Sequence, residues 1–301
     1  MTAEPERLAA IDVGSNTILL TVAEYDAESG LRVIDEGEDQ PRLATGLATS
    51  GRLSEDAVKR ALLALTRMRD TCRKLGVQRV AAVATAAVRE AENGSEFVER
   101  VRDLDIPLQV ISPQTEAALS YRSAAYHFPG GERTIVADIG GGSLELIGAL
   151  AGRVKLSSSV PLGAVRLTEL RTSIEKLRAH IRRVLVGAIQ KTEWAGSRII
   201  GSGGTFATLA SIALVQRGAS QPQIHGTIVK ANEVEQLLDR LASLTPEQRR
   251  ETPGLNPKRA DIIAAGLAVV TELLDAVGVS EVTVSGFGIR DGLLLEMVGL
   301  E

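Results

Sequence analysis

This sequence predicts an α/β fold made of two similar halves, and three observations point to it. Short apolar runs alternate with stretches of helical period along the whole chain, the pattern of strands separated by helices. The run Leu8 to Val13 closes on Asp12-Val-Gly-Ser-Asn-Thr17, and 126 residues later Thr134 to Ile139 closes on Asp138-Ile-Gly-Gly-Gly-Ser143. Each leads into further strands, so the repeat marks two related domains. The length, 301 residues, has room for about two domains.

In chain order, Leu8 to Val13, Thr17 to Ala23 and Leu31 to Ile34 read as three strands joined by tight turns. Ser54 to Leu75 carries Val58, Leu62, Leu65, Met68 and Leu75 at helical spacing, with Ser54 as N-cap and Glu55 and Asp56 in the first turn. Val80 to Ala84 is a buried strand, Ser95 to Leu104 a helix and Leu108 to Ile111 a strand; Pro113 then opens a helix to about Tyr126. The clearest linker signal is Phe128-Pro-Gly-Gly131. It divides the chain into 1–128 and 129–301, with the last helix a candidate to pack back on the first domain. The second half repeats the opening with strands Thr134 to Ile139, Leu144 to Leu150 and Val154 to Val160. A long helix from Ser173 to about Trp194, a strand Arg198 to Gly201 and a helix opened by Gly201-Ser-Gly-Gly-Thr205 follow. Helices Ala231 to Leu244 and Arg259 to Val277, a proline-rich loop between them, a strand Val282 to Val284 and a helix from about Asp291 complete the reading.

Composition narrows the function. Lys and Arg number 34 against 38 Asp and Glu, a net charge of −4; hydrophobic residues make up 44 % and charged ones 24 %. That balance excludes disordered, collagenous and disulfide-stapled chains. Four Phe, three Tyr and one Trp are too few for a base-stacking platform, and the mild acidity argues against a nucleic-acid partner. Cys72, the only cysteine, sits in a helical pattern beside Arg73 and Lys74 and has no partner for an internal disulfide. Met1 to Leu8 lacks the apolar core of a signal peptide. The longest apolar stretch, Ile262 to Leu274, is interrupted by Glu272 and falls short of the roughly 20 residues that span a bilayer. A cytoplasmic protein without a membrane partner is the expectation.

Three glycine-rich turns follow strands: Asp12 to Thr17, Asp138 to Ser143 and Gly201 to Thr205. Glycine lets backbone N–H groups converge on an anion, and the hydroxyls of Ser15, Thr17, Ser143 and Thr205 add donors. One such loop is usually only a tight turn. Three, two of them preceded by aspartate, point to a polyphosphate or nucleotide site. Neither GxGxxG nor GxxxxGK[ST] occurs, so the dinucleotide and P-loop schemes do not apply. Asp12 and Asp138 can hold Mg²⁺ directly or through water, or they can brace their turns. The duplication favours the metal role for at least one of them.

These residues resemble the exopolyphosphatase / guanosine pentaphosphate phosphohydrolase family. The resemblance lies in Asp12 to Thr17, Thr85-Ala-Ala-Val-Arg89-Glu-Ala-Glu-Asn93, Asp138-Ile-Gly-Gly-Gly-Ser-Leu-Glu145 and Pro161-Leu-Gly-Ala-Val-Arg166-Leu-Thr168. Gly201 to Thr205 and Ser285-Gly-Phe-Gly-Ile-Arg290-Asp-Gly292 match in the same order, so it runs from about Ala9 to the C-terminus. It implies two ribonuclease-H-like domains of the actin, sugar kinase and Hsp70 type, with the active site in a central cleft and Mg²⁺ (or Mn²⁺) as cofactor. The implied reaction is hydrolysis of a terminal phosphoanhydride in inorganic polyphosphate, or in a guanosine pentaphosphate.

The resemblance also implies residue roles. Glu116, in Ser112-Pro-Gln-Thr-Glu-Ala117, matches the second glutamate of the family's Glu-Glu-Ala motif and is the implied general base; Thr115 replaces the first. Without the resemblance it reads as an ordinary first-turn glutamate. Arg89 is the implied phosphate clamp, and Asp138 belongs with Glu116 and Arg89 in the catalytic set. Gly14, Ser15, Asn16, Thr17, Gly140, Gly141, Gly142, Ser143, Gly203, Gly204 and Thr205 form the implied phosphate-binding set, and Asp12, Asp138 and Glu145 the metal set. Arg178, Arg182 and Arg183 read as a solvated helix face or as guidance for a polyanion. His127, His180 and His225 show no metal-ligand spacing. Longer family members carry a C-terminal helical extension that this sequence lacks, which implies a preference for short chains. A homodimer is a further implication. The competing classes are a sugar kinase or actin-like ATPase and a non-catalytic alarmone or polyphosphate sensor.

Overall fold

The computed structural model describes residues 5–189 and 191–300. The chain divides into two compact units: Met1–Tyr126 together with Ile289–Glu301, and His127–Gly288. The last helix is therefore part of the first unit, and the second unit is one continuous segment.

In the first unit the elements are β1 (Glu6–Val13), β2 (Ile18–Asp26), β3 (Gly30–Asp39), α1 (Leu47–Ser50), α2 (Glu55–Lys74), β4 (Arg79–Ala84), α3 (Ala86–Glu90), α4 (Gly94–Arg102), β5 (Leu108–Val110) and α5 (Pro113–His127). The sheet order is β3-β2-β1-β4-β5. β1, β2 and β3 form an antiparallel meander, and β4 and β5 extend it in parallel with β1. Strand alternation explains why β1 is apolar on both sides. Ala9, Ile11 and Val13 face a core shared with Leu65 and Met68 of α2, while Leu8 and Ala10 face a second core that includes Leu119 of α5. α2 starts where the Ser54 hydroxyl accepts from the Ala57 N–H, with Glu55 and Asp56 in its first turn and Arg73 and Lys74 in its last. Both charge placements suit the helix dipole.

The second unit repeats the plan: β6 (Arg133–Ile139), β7 (Leu144–Leu150), β8 (Arg153–Val160), α6 (Ala164–Glu169), α7 (Ile174–Ala188), α8 (Lys191–Trp194), β9 (Arg198–Ser202), α9 (Gly204–Gln216), β10 (Thr227–Lys230), α10 (Ala231–Ala242), α11 (Pro246–Arg249), α12 (Ile263–Val277) and β11 (Glu281–Val284). The chain closes with α13 (Ile289–Met297). The second sheet runs β10-β11-β9-β6-β7-β8. Without the antiparallel edge strand β10, it has the strand order and directions of the first. Both sheets are thus the mixed sheets of a ribonuclease-H-like, actin-like α/β fold.

Two features depart from the sequence reading. The expected helix from Ser173 to Trp194 stops at Ala188, where Ile189 turns extended (φ −123°, ψ 117°), and α8 restarts it. Gln190, inside that expected helix, lies outside the described residues. α12, the longest apolar stretch, is buried on almost every side because it is packed among α7, α9 and α10. Its buried acid, Glu272, is paired with Arg178 and Arg182 of α7. Arg178 also meets Glu235 and is tied into the packing of α7, while Arg182 stays largely exposed. Among the described residues no helix is long and apolar enough to cross a membrane.

Candidate functional site

In both units the residues singled out from the sequence lie at the carboxyl ends of the parallel strands, where open α/β sheets bind ligands. In the first unit these ends are Val13, Ala84 and Val110; in the second they are Ile139, Ser202 and Val284.

The first glycine loop bridges β1 and β2. Val13 pairs with Ile18, and the four residues between them close through the Gly14 N–H donating to the Thr17 carbonyl at 3.0 Å. The second loop is built the same way: Ile139 pairs with Leu144, and the Gly140 N–H donates to the Ser143 carbonyl at 3.0 Å. Each loop is held by its carbonyls. Ser15 and Asn16 accept from the backbone N–H groups of Ala44 and Arg42 at 2.9 and 3.1 Å. Gly140 accepts from Ala164, and Gly141 from Val165 and Arg166, at 3.0–3.1 Å; the Arg166 Nε donates to the Gly142 carbonyl at 2.8 Å. A trans peptide points its N–H opposite to the preceding C=O. Binding the carbonyls on one side therefore turns the N–H groups of Asn16 and Thr17, and those of Gly141, Gly142 and Ser143, to the other. N–H groups turned together in this way suit an anion. Gly163 makes the brace possible, since a Cβ there would lie 2.3 Å from the Gly141 carbonyl oxygen.

The register separates the two aspartates. Asp138 stands directly opposite Glu145 on β7, and cross-strand partners share a face with Cβ atoms about 5 Å apart. Both are buried, at 7 % and 1 % exposure. Asp138 Oδ2 accepts from the Ser202 hydroxyl at 2.8 Å, and Glu145 Oε1 accepts from the Ser159 hydroxyl at 2.9 Å. Asp12, at the same place in the repeat, stands opposite Leu19. The acid pair is therefore formed in the second unit.

The third loop starts α9. Gly203, at φ +85°, passes so close to Asp138 that a Cβ there would lie 2.6 Å from Oδ1. Gly204 heads the helix, whose N-terminal N–H groups favour an anion. The Arg259 guanidinium lies flat over it, with its carbon and both terminal nitrogens 2.0 Å from the point a Gly204 Cβ would occupy. Arg259 thus places a cation beside a helix N-terminus. Sequence reading missed it because only folding brings it to the loop. Thr205 is turned inward against Gly266 of α12.

In the first unit Arg89 and Glu116 come together. Glu116 is buried at 5 % exposure, and its Oε2 accepts from Arg89 Nη1 at 3.1 Å. Arg89 Nη1 also donates to the Ile111 carbonyl at 2.8 Å. Both bonds use Nη1, whereas a guanidinium has five donors. Ser112 caps α5: its hydroxyl accepts from the Thr115 N–H at 3.1 Å and lies 3.0 Å from the Thr115 hydroxyl. Thr115 is thus part of the cap that positions Glu116 in the first turn. Asn93 bonds both backbone groups of Leu53, a bracing role that its spacing from Arg89 does not reveal. Two of the histidines meet: His127 stacks on Phe287 at 4.0 Å with 8° between planes, and His225 approaches both edge-on.

Comparison with known proteins adds an independent line. Residues 21–301 match the model of the Ppx/GppA phosphatase family. The crystal structure of the Aquifex aeolicus member of that family is 28 % identical, covers 98 % of both chains and superposes with a TM-score of 0.82. An exopolyphosphatase-like protein is 26 % identical over 98 % of both chains, with a TM-score of 0.88. An exopolyphosphatase from Cytophaga hutchinsonii shares the fold with a TM-score of 0.92 at 24 % identity, covering 98 % of this chain and 99 % of its own.

Proposed function

The chain belongs to the Ppx/GppA phosphatase family, and from that membership we propose that it hydrolyses the terminal phosphoanhydride of inorganic polyphosphate, releasing orthophosphate, with Mg²⁺ or Mn²⁺ as cofactor. The observation that supports this reading best is the buried Asp138–Glu145 pair beside a loop of outward-facing N–H groups. Two carboxylates on one face are the oxygen donors a hard divalent cation takes. Mg²⁺ needs only one or two of them and fills its shell with water and phosphate oxygens. That agrees with the described residues, which gather no group of three or more His, Cys, Asp or Glu side chains fit for a metal. Asp138 and Glu145 would hold the cation. The bound cation supplies neutralisation of the phosphate oxygens at the bond that breaks.

The protein's own groups supply the rest. In the second unit the N–H groups of the Gly140 loop and the head of α9 bind phosphate oxygens, and Arg259 adds charge; in the first unit the Gly14 loop offers N–H groups of the same kind. Arg89 clamps a phosphate through its remaining donors while its Nη1 holds Glu116. Glu116 orients a water for in-line attack on the terminal phosphorus and takes its proton. Water adds to phosphorus, the anhydride P–O bond breaks, and the shortened chain leaves.

The test is phosphate release from tripolyphosphate, long-chain polyphosphate and guanosine pentaphosphate, with and without Mg²⁺. Turnover of polyphosphate that requires the metal is expected. Glu116→Ala should lower kcat by about 10³-fold. Full turnover in that variant would remove Glu116 as base, and full turnover without a divalent cation would remove the metal role. Preference for the guanosine nucleotide would transfer the substrate assignment to it.

A further inference from the structure

The motif Ser285 to Gly292 has no part in the chemistry above, yet it delivers α13 to the helix that carries Glu116. α5 presents Glu116, Ser120 and Ser123 at helical spacing, and all three are buried. Residues spaced by four and three share one face. At the far end of that face the Ser123 hydroxyl donates to Asp291 Oδ2 of α13 at 2.9 Å. One residue on, Gly292 lets the helix backbones touch: a Cβ there would lie 2.2 Å from the Leu119 carbonyl oxygen. α13 is itself held at both ends. The Arg290 Nη1 donates to the Leu20 carbonyl at 2.8 Å and to the Thr21 hydroxyl at 2.6 Å on β2. The Arg79 Nη2 donates to the Met297 carbonyl at 2.9 Å from β4.

We propose that Asp291 and Gly292 are positioning residues for Glu116, locking the rotation of α5 about its axis through the Ser123 bond and the Leu119 backbone contact. The inference rests on the reading of Glu116 as the base. A helix fixed at only one point can turn, and Glu116 lies two turns, about 10 Å, from Ser123. Its nearer tether is the bond from Arg89 Nη1 at 3.1 Å. A displacement of about 1 Å at a reacting group can cost about 10²-fold in rate, so a small rotation is enough to matter. Asp291 also lies in the first turn of α13, where a negative charge is favourable on dipole grounds alone. The two roles predict different outcomes for the amide variant, which keeps an acceptor oxygen and loses the charge.

The experiment measures kcat and KM for tripolyphosphate with the full-length Asp291→Ala, Asp291→Asn, Ser123→Ala and Gly292→Ala variants, alongside Glu116→Gln. Asp291→Ala and Ser123→Ala should lower kcat about tenfold or more with KM unchanged, since the phosphate loops are untouched. Asp291→Asn should recover most of the loss. Glu296→Gln breaks only the exposed pair with Arg122 on the same two helices and should keep the wild-type kcat. Losses in kcat that merely follow the folded fraction, or an Asp291→Asn as impaired as the alanine variant, overturn the proposal. So does wild-type kcat in Asp291→Ala and Ser123→Ala while Glu116→Gln is inactive. An active Glu116→Gln overturns instead the reading of Glu116 as base. Should Gly292→Ala fail to fold, the Ser123 and Asp291 variants still decide the question.

Discussion

Asp12 and Asp138 occupy one position in two copies of a motif, and what separates them is the residue across the strand. Leu19 faces the first and Glu145 the second. The repeat made both visible in the sequence, but a single-residue difference in the neighbouring strand becomes meaningful only once the register is known. Arg259 was illegible for a similar reason: it lies more than 50 residues beyond Gly204, and only folding stacks it there. Cys72, by contrast, is legible in the sequence as a lone helical cysteine, and its buried environment makes it inert. Burial, with a small contribution from Asp35, pushes its thiol from about 9.0 up to about 11. At pH 8 the folded protein should therefore react with a disulfide reagent only as fast as it opens, and rapid stoichiometric labelling without denaturant would contradict this. The sign for stability follows. A group whose acid form is favoured by folding contributes fully below the unfolded pKa and loses that contribution as pH rises through the folded one. Stability should fall between about pH 9 and 11, and Cys72→Ala should flatten that part of a plot of urea midpoint against pH.

The long elements were legible because their periodicity is strong, and the misread ones were decided by tertiary contacts. α2 and its Ser54 cap follow from apolar spacing and first-turn acids. α3 and α6 are five and six residues long, too short to carry a period, and α6 is set by the second glycine loop it braces. β10 is an edge strand paired only with β11. The break after Ala188 is an instructive case, since nothing in Gly187-Ala-Ile189 forbids a helix. α8 ends in Trp194, which is buried directly over Gly148. A Cβ at Gly148 would lie 2.4 Å from the indole ring, at a point where the β7–β8 register shifts. Gly148→Ala should destabilise the second unit by about 1–3 kcal/mol, as overpacking does. Trp194 is the sole tryptophan, so the same variant should shift its emission to longer wavelength as the indole is forced outward. Unchanged emission and an unchanged fluorescence-detected Tm would show that Trp194 does not rest on Gly148.

At the scale of the whole molecule the duplication gives two sheets of one strand order, but the chain is not two consecutive copies. The second unit is continuous, whereas the first is closed by α13 from the C-terminus. The first unit's second core depends on this: Leu293 and Leu294 are buried there with Leu8, Ala10, Ala23, Val83 and Leu119. Truncating a single buried leucine costs about 2–5 kcal/mol, against a total stability of about 5–15 kcal/mol for an ordinary domain. Removing α13 deletes two such leucines and exposes the apolar face of β1 and β4 that they cover. The second unit keeps its whole core, which contains Trp194. A chain ending at Gly288 should therefore melt in two stages. The early stage, seen by far-ultraviolet circular dichroism, belongs to the first unit, and the late stage, seen by Trp194 fluorescence, should lie close to the wild-type midpoint. Coincident transitions at the wild-type temperature would mean that α13 is dispensable to the first unit. A simultaneous early loss of both signals would mean that the second unit does not stand without the first, despite its continuous chain and separate core.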